Sequence, residues 1–303
     1  MNAKNGKPLW EDWITFRYKP KSERYRECAP CKSFGLFDWV IWLPDSKRHT
    51  RIRGRKPGSV LCLPTLKSIR VLKKRIAKLS QATVVFAGED TNLSKVREEV
   101  DAIASHCRKV YFEAKDVPHD HVRSLSMGFI PYYLRDCGET SIESAIAEVD
   151  AGREKSGVLA AWGGQWPKLD DAMPERRRAC EFAEHSPLVN YRKVEFEAYW
   201  PVLARHQFLM APLGKGIQAP KLAEAWMVKT IPIVLRTPCF EDLADAGYPL
   251  VILEDWGELS AASLDAWAIE HASTDWERVR HMLTLPHLET LLGQNHNPES
   301  ASE

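Results

Sequence analysis

The thirty residues from His206 to Leu235, HQFLMAPLGKGIQAPKLAEAWMVKTIPIVL, leave this chain few ways to fold. Phe208, Leu209 and Met210 form a short apolar run, which Pro212, Gly214 and Gly216 break so that the chain must turn. From Ala219 to Val228 the pattern suits a helix, with Ala223, Ala225, Trp226 and Val228 apolar and Lys221 and Glu224 one turn apart. Ile231 to Leu235 reads as a buried strand, with Pro232 near its start, where a missing N–H costs least. Strand, glycine turn, helix and strand make a βαβ unit. Its turn lies at the carboxyl end of a strand, where open α/β sheets bind ligands.

The same alternation runs through the chain. Strands are expected at Trp39–Leu43, Ser59–Leu63, Thr83–Ala87 and Val110–Phe112, with helices at Leu66–Leu79 and Leu93–His106 and a short closing element at Ser126–Phe129. A charged helix over Thr140–Lys155 ends at Ser156-Gly157, and the pattern then restarts. A strand at Val158–Trp162 precedes Gly163-Gly164, and helices are expected at Asp170–Glu184 and Val194–Arg205. Beyond the opening stretch come a helix at Phe240–Ala246, a strand at Leu250–Leu253, and helices from about Ser260 and Thr274. The fold expected is α/β, two Rossmann-like domains facing across a cleft: an acceptor-side domain over residues 1–150 and a nucleotide-binding domain over 151–292. Residues 293–303 have no apolar pattern and read as a disordered tail.

Composition sets the limits. With 303 residues, 44% of them hydrophobic, the chain can build two ordinary cores. No stretch is long and apolar enough for a transmembrane segment, and the first residues lack the apolar block of a signal peptide. The expected location is cytoplasmic, with the lumenal domain of a truncated Golgi enzyme as the alternative. Seven scattered cysteines argue against a secreted disulfide framework, and the Cys28-Cys31 CxxC has no partner pair at zinc-ribbon spacing. The first eighty residues carry 20 Lys and Arg against 6 Asp and Glu, whereas the whole chain carries 42 against 41. That asymmetry permits an anionic partner, but no nucleic-acid-binding motif accompanies it, and a solvated basic face is the plainer reading of Lys47, Arg48, Arg51, Arg53, Arg55 and Lys56.

The chemistry turns on what the glycine turns hold. Free amides at a helix start favour an anion, and Lys221 adds a full positive charge. Glu224 can accept both hydroxyls of a ribose, as the acidic residue of dinucleotide folds does. Diphosphate at Lys221 and ribose at Glu224 would together describe a nucleotide. An exposed i,i+3 ion pair accounts for the same spacing equally well.

The segment from Gly214 to Leu259 resembles the donor-binding segment of exostosin-like glycosyltransferases and the related xylosyltransferases: a glycine turn, a basic residue three before a glutamate, the strand IPIV and an acidic "DLPVLIVDDW"-like element, matched by Phe240 to Trp256. Weaker echoes lie in Leu125-Ser126-Met127-Gly128 and in Gly163-Gly164 followed by Arg176 and Arg177. The resemblance implies a GT-B glycosyltransferase with a nucleotide-sugar donor, a UDP-sugar with xylose as the first guess, and a glycan or glycoconjugate acceptor. It implies that Gly214, Lys215 and Gly216 shape the diphosphate pocket, that Gly163 and Gly164 form a further donor-binding glycine turn, that Lys221 with Arg176 or Arg177 neutralises the diphosphate, and that Glu224 holds the ribose. Lys229 stands where many relatives have glycine before IPIV, and Gln218 and Pro220 replace an acidic residue and a histidine.

The chain contains no Asp-x-Asp, so no metal is called for, and the donor is a substrate rather than a cofactor. An inverting reaction then needs fixed cations at the leaving group and a general base from the first domain. Glu89 and Asp90, in the turn AGED after a strand, are the candidates, against the reading that Asp90 or Thr91 caps the next helix. His119, Asp120 and His121 form a rival cluster without a third ligand spacing. Another nucleotide-sugar enzyme, or a non-catalytic binding module that kept the fold, are the alternatives.

Overall fold

Runs such as TVVF and IPIVL have no polar face, as suits strands covered on both sides, and both runs lie in mainly parallel sheets. A computed structural model describes residues 9–16, 32–43, 49–162 and 174–293. The first sheet contains β1 (Trp39–Trp42), β2 (His49–Ile52), β3 (Ser59–Cys62), β4 (Thr83–Phe86), β5 (Lys109–Phe112) and β6 (Val122–Arg123), in the order β2-β1-β3-β4-β5-β6. All its pairings are parallel except β1 with β2. The second sheet contains β7 (Val158–Ala160), β8 (Val189–Tyr191), β9 (Phe208–Met210), β10 (Ile231–Leu235) and β11 (Val251–Leu253), all parallel, in the order β11-β10-β9-β7-β8. The architecture is the α/β class with two parallel sheets that the alternating pattern implies. In the second sheet the chain steps outward from β7 to β8 and returns to β9 on the other side of β7, so the strand order reverses between β7 and β9.

Several elements differ from expectation for identifiable reasons. The basic segment at 49–52 is an edge strand, and its charges blunt an edge that would otherwise invite pairing. Arg51 donates to Phe34 O and, at 2.9 Å, to Phe37 O, so burial, with Arg53 beside it, lowers its pKa. Lys47, Arg48 and the Cys28-Cys31 pair lie outside the described residues. The helix from Leu66 stops at Lys73 because the Arg75 amide bonds Leu72 O, an i−3 link that ends the α ladder. Ser126–Phe129 is not a strand. The Ser124 amide just before it goes to Asp242 and the Met127 amide within it to Gln218, and the sheet ends at β6. The helix from Glu139 ends at Asp150. Residues 294–303, read as a disordered tail, lie outside the described residues.

The chain crosses between the two sheets more than once. Helices Pro131–Cys137 and Glu139–Asp150 follow the first sheet but pack on helix Phe196–Leu203 of the second half. The C-terminal helix, Leu285–Leu292, returns to the first sheet: Leu285 N donates to Asp12 O at 2.7 Å, and Leu288 and Leu292 pack with Phe16, Trp42 and Val85. Trp13 lies against Phe129 and Trp200, with ring centroids 4.4 and 6.1 Å away.

Two buried polar groups join the halves. The Gln218 amide donates to Glu113 O at 2.7 Å and Leu125 O at 2.8 Å, and its oxygen accepts from Met127 N at 3.0 Å. The Asp242 carboxylate, on the helix after β10, accepts from Lys115 Nζ at 2.8 Å, from Ser124 N at 2.7 Å and from Ser124 Oγ at 3.0 Å. Lys115 is 3% exposed, so removing its partner strands a buried ammonium. Asp242→Ala is expected to cost about 3–5 kcal/mol, as breaking a buried pair from one side does. Urea unfolding that shows a loss below about 1 kcal/mol, within the range of an ordinary surface change, would exclude that role for the seam.

Candidate functional site

The reversal between β7 and β9 opens a crevice at their carboxyl ends, where ligands of open α/β sheets bind. The chain leaving β9 forms the glycine turn, closed by Gly214 N to Gly216 O at 3.1 Å. Neither glycine has a positive φ. Their need is for space. A Cβ on Gly214 would stand 3.2 Å from the Arg176 guanidinium, and one on Gly216 would stand 2.6 Å from Asp90 Oδ1.

Helix Pro174–His185 supplies Arg176, whose guanidinium carbon lies 5.7 Å from the centroid of the Trp162 ring. Trp162 is held in turn by its indole N–H to Cys180 Sγ, at 3.0 Å. Helix Lys221–Met227 supplies Lys221, which donates to Ala161 O beyond the end of β7 and rests 4.2 Å from the centroid of the Tyr199 ring. Glu224, one turn on, is 3% exposed. The Tyr199 hydroxyl is buried beside them with no hydrogen-bond partner among the described residues.

Burial governs the charges here. It lowers the Lys221 pKa to about 8, with Glu224 pulling it back up and Arg176 pressing it further down. It raises the Glu224 pKa to about 7, against the pull of Lys221, and lowers that of Arg176 to about 10. Lys221 and Glu224 are therefore not an exposed i,i+3 pair. Two cations near enough to repel each other, in a partly dry crevice, form a place where an added anion lowers the energy of both.

The first domain meets this turn through Asp90. Gly88, at φ +96, has no room for a side chain against Trp42 and Phe16, and its amide donates to Glu113 Oε2 at 2.6 Å. That bond fixes the turn carrying Glu89 and Asp90, both half-buried. Neither Asp90 nor Thr91 caps the following 3₁₀ turn. Asn92 holds the cap position, and the first amides go to Ala114 O and to Asp116 Oδ1.

Other expected residues are placed differently. Gly163 and Gly164 lie outside the described residues, as does Trp166. Arg177 and Lys215 are exposed, and of the arginine pair it is Arg176 that abuts the turn. Trp226 is a core residue that stacks on Tyr248 and donates to Pro249 O. His119 bonds Asp101 at 2.6 Å on the first domain. Among the described residues no group of three His, Cys, Asp or Glu side chains is arranged to hold a metal. Tyr199 was not foreseen; it stands in a helix with no motif around it, and only the packing of that helix on Lys221 reveals it.

No family model matches the chain, and no curated protein does either. Among solved structures it is similar to Anabaena Alr3699/HepE in complex with UDP, at 10% identity over 78% of this chain and 77% of that one, with a TM-score of 0.41. It is also similar to a glycosyltransferase from Rickettsia africae, at 10% identity over 78% and 77% with a TM-score of 0.36. A third is the S. aureus MnaA–UDP co-structure, at 13% identity over 79% and 75% with a TM-score of 0.29.

The glycine contacts give a test of the geometry. Gly216→Ala is expected to displace the Asp90 carboxylate while changing stability by no more than about 1 kcal/mol, since only a short side chain must move. Thermal unfolding together with a crystal structure of the variant checks both parts; an unmoved Asp90 would refute the contact.

Proposed function

We propose that this chain is a glycosyltransferase that takes a sugar from a nucleoside diphosphate donor, a UDP-sugar, and passes it to a glycan hydroxyl with inversion and without a metal. One observation carries the reading: Arg176 and Lys221 converge beside the Gly214–Gly216 turn, while Asp90 of the other domain reaches the same turn. The acceptor oxygen attacks the anomeric carbon, the bond to the diphosphate breaks, and its electron pair leaves with the phosphate. Lys221 and Arg176 stabilise that charge, fixed in place before it develops. Asp90, with Glu89 beside it, takes the proton of the acceptor hydroxyl, a contribution of roughly 100- to 10,000-fold. Glu224 holds the ribose hydroxyls from a buried position, and Lys215, exposed at the tip of the turn, guides the diphosphate in. Membership of the exostosin-like group and xylose as the transferred sugar belong to this reading; the resemblance of Gly214 to Leu259 supports them. No helix among the described residues is long and apolar enough to cross a membrane.

Lys221→Ala, Arg176→Ala and Glu224→Ala are each expected to weaken UDP binding by at least about tenfold, the effect of losing one charge-assisted hydrogen bond. Calorimetry with UDP measures it, and unchanged affinity in all three would end this assignment of the site. Asp90→Asn should keep UDP affinity and lose transfer; full turnover in both Asp90→Asn and Glu89→Gln moves the base elsewhere.

The pH dependence has a definite sign. Lys221 binds an anion only when protonated, and its pKa in the free protein is about 8. UDP affinity is therefore expected to fall as pH rises through that value, by up to about tenfold per unit. In Lys221→Arg, whose guanidinium stays charged, the decline should vanish. A decline that persists in this variant assigns the titration to another group.

A further inference from the structure

A second cavity lies on the interdomain seam, and none of its lining residues belongs to the site above. It measures about 470 Å³, within the range of small-molecule sites. Its walls come from three parts of the fold: Tyr111 and Arg123–Ser126 at the end of the first sheet, the end of helix Pro238–Asp245 with Tyr248 beyond it, and the two C-terminal helices. The floor is apolar, with Ile14, Leu125, Met282, Leu288 and Leu291, and is flanked by the two tyrosines.

Two carboxylates and two guanidiniums line it. Asp242 lines the cavity, but its carboxylate is occupied by Lys115, Ser124 and Arg123. The other carboxylate is that of Asp245. Against these stand Lys115 behind the wall, Arg123, and Arg278 on helix Trp276–His281. Among the described residues no carboxylate is within ion-pair distance of Arg278. His281 and His287 also face the cavity, their rings edge to face with centroids 5.7 Å apart. Burial, then His281 and Arg278, lowers the His287 pKa, so the imidazole is a neutral donor near neutral pH. An apolar floor with an unpaired guanidinium and two imidazoles on one side matches a flat apolar body carrying a single anionic group.

We propose that this cavity binds a small amphiphilic anion, an aromatic or alicyclic carboxylate or sulfonate, with Arg278 as the anchor of the charged group and the Tyr111–Leu125–Leu288 floor as the seat of the ring. Contact with both sheets and the returning C-terminal helix makes such a ligand a clamp on the domain orientation. None of its lining residues takes part in the proposed donor site.

The probe is 1-anilinonaphthalene-8-sulfonate, compared with uncharged N-phenyl-1-naphthylamine. Native protein is expected to bind one equivalent of the sulfonate, at least about tenfold tighter than the neutral compound, as one charge-assisted hydrogen bond allows. Arg278→Gln should remove that preference and leave the neutral compound unaffected. Ala246→Trp, which fills the cavity from an exposed wall position, should abolish both, and UDP affinity should be unchanged in both variants. Equal affinity for the two probes, or sulfonate binding that survives in Ala246→Trp, overturns the proposal. Loss of UDP binding in the native protein would count against the donor site and leave this result standing.

Discussion

Gln218 is a single amide on which two levels of the structure depend. It follows the glycine turn of the second domain, and its side chain spends both N–H donors on carbonyls at Glu113 and Leu125 and its oxygen on Met127 N. A buried amide satisfied on every side resists displacement, because each lost bond leaves a desolvated group behind. The turn is thereby held to the first domain. Asp242 repeats the device one helix later through Lys115 and Ser124, so the halves are fixed at two points and closed again by the C-terminal helix.

The helix Lys221–Met227 is fastened at both ends by buried lysines. Lys221 donates to Ala161 O at one end. At the other, Lys155 Nζ donates to Val228 O at 2.5 Å and to Thr230 Oγ1 at 2.6 Å, and burial lowers its pKa to about 7, with Lys229 and Arg280 adding to the shift. The chain leaves this helix through Lys229 at φ +56, in the left-handed region that favours glycine. Its ammonium offsets part of that strain by pairing with Asp150 at 2.8 Å, and Asp150 also holds the buried Arg280 at 2.9 Å. A lysine in this conformation is thus tied to an ion-pair network that the sequence spacing does not display.

Much of the fold was legible because parallel strands covered on both faces read as unbroken apolar runs, and β1, β3, β4, β7, β9 and β10 all fall where such runs stand. What escaped was decided by tertiary contacts. The β2 segment looks like a solvated basic loop until β1 offers it a partner, and Ser126–Phe129 looks like a strand until Asp242 and Gln218 claim the amides around it. Helix Leu285–Leu292 carries an apolar face, but nothing local says that it belongs to the first sheet. At the candidate site the sequence marked residue types rather than neighbours. It offered Arg176 and Arg177 as equals, and only the helix phase relative to Gly214 separates them.

The glycines show where sequence reasoning and geometry part. A glycine-rich turn suggests a backbone that needs positive φ, yet Gly214 and Gly216 have none. Each is small because another side chain fills the space its own would take, Arg176 in one case and Asp90 from the other domain in the second. The turn is therefore a contact surface between a cation and a carboxylate held by different sheets. An anion bound at the turn would feel both, attracted by one and repelled by the other. On the proposed function that opposition would orient the donor, with its negative end toward Arg176 and Lys221 and the acceptor hydroxyl toward Asp90, and it arises where two β-carbons are absent.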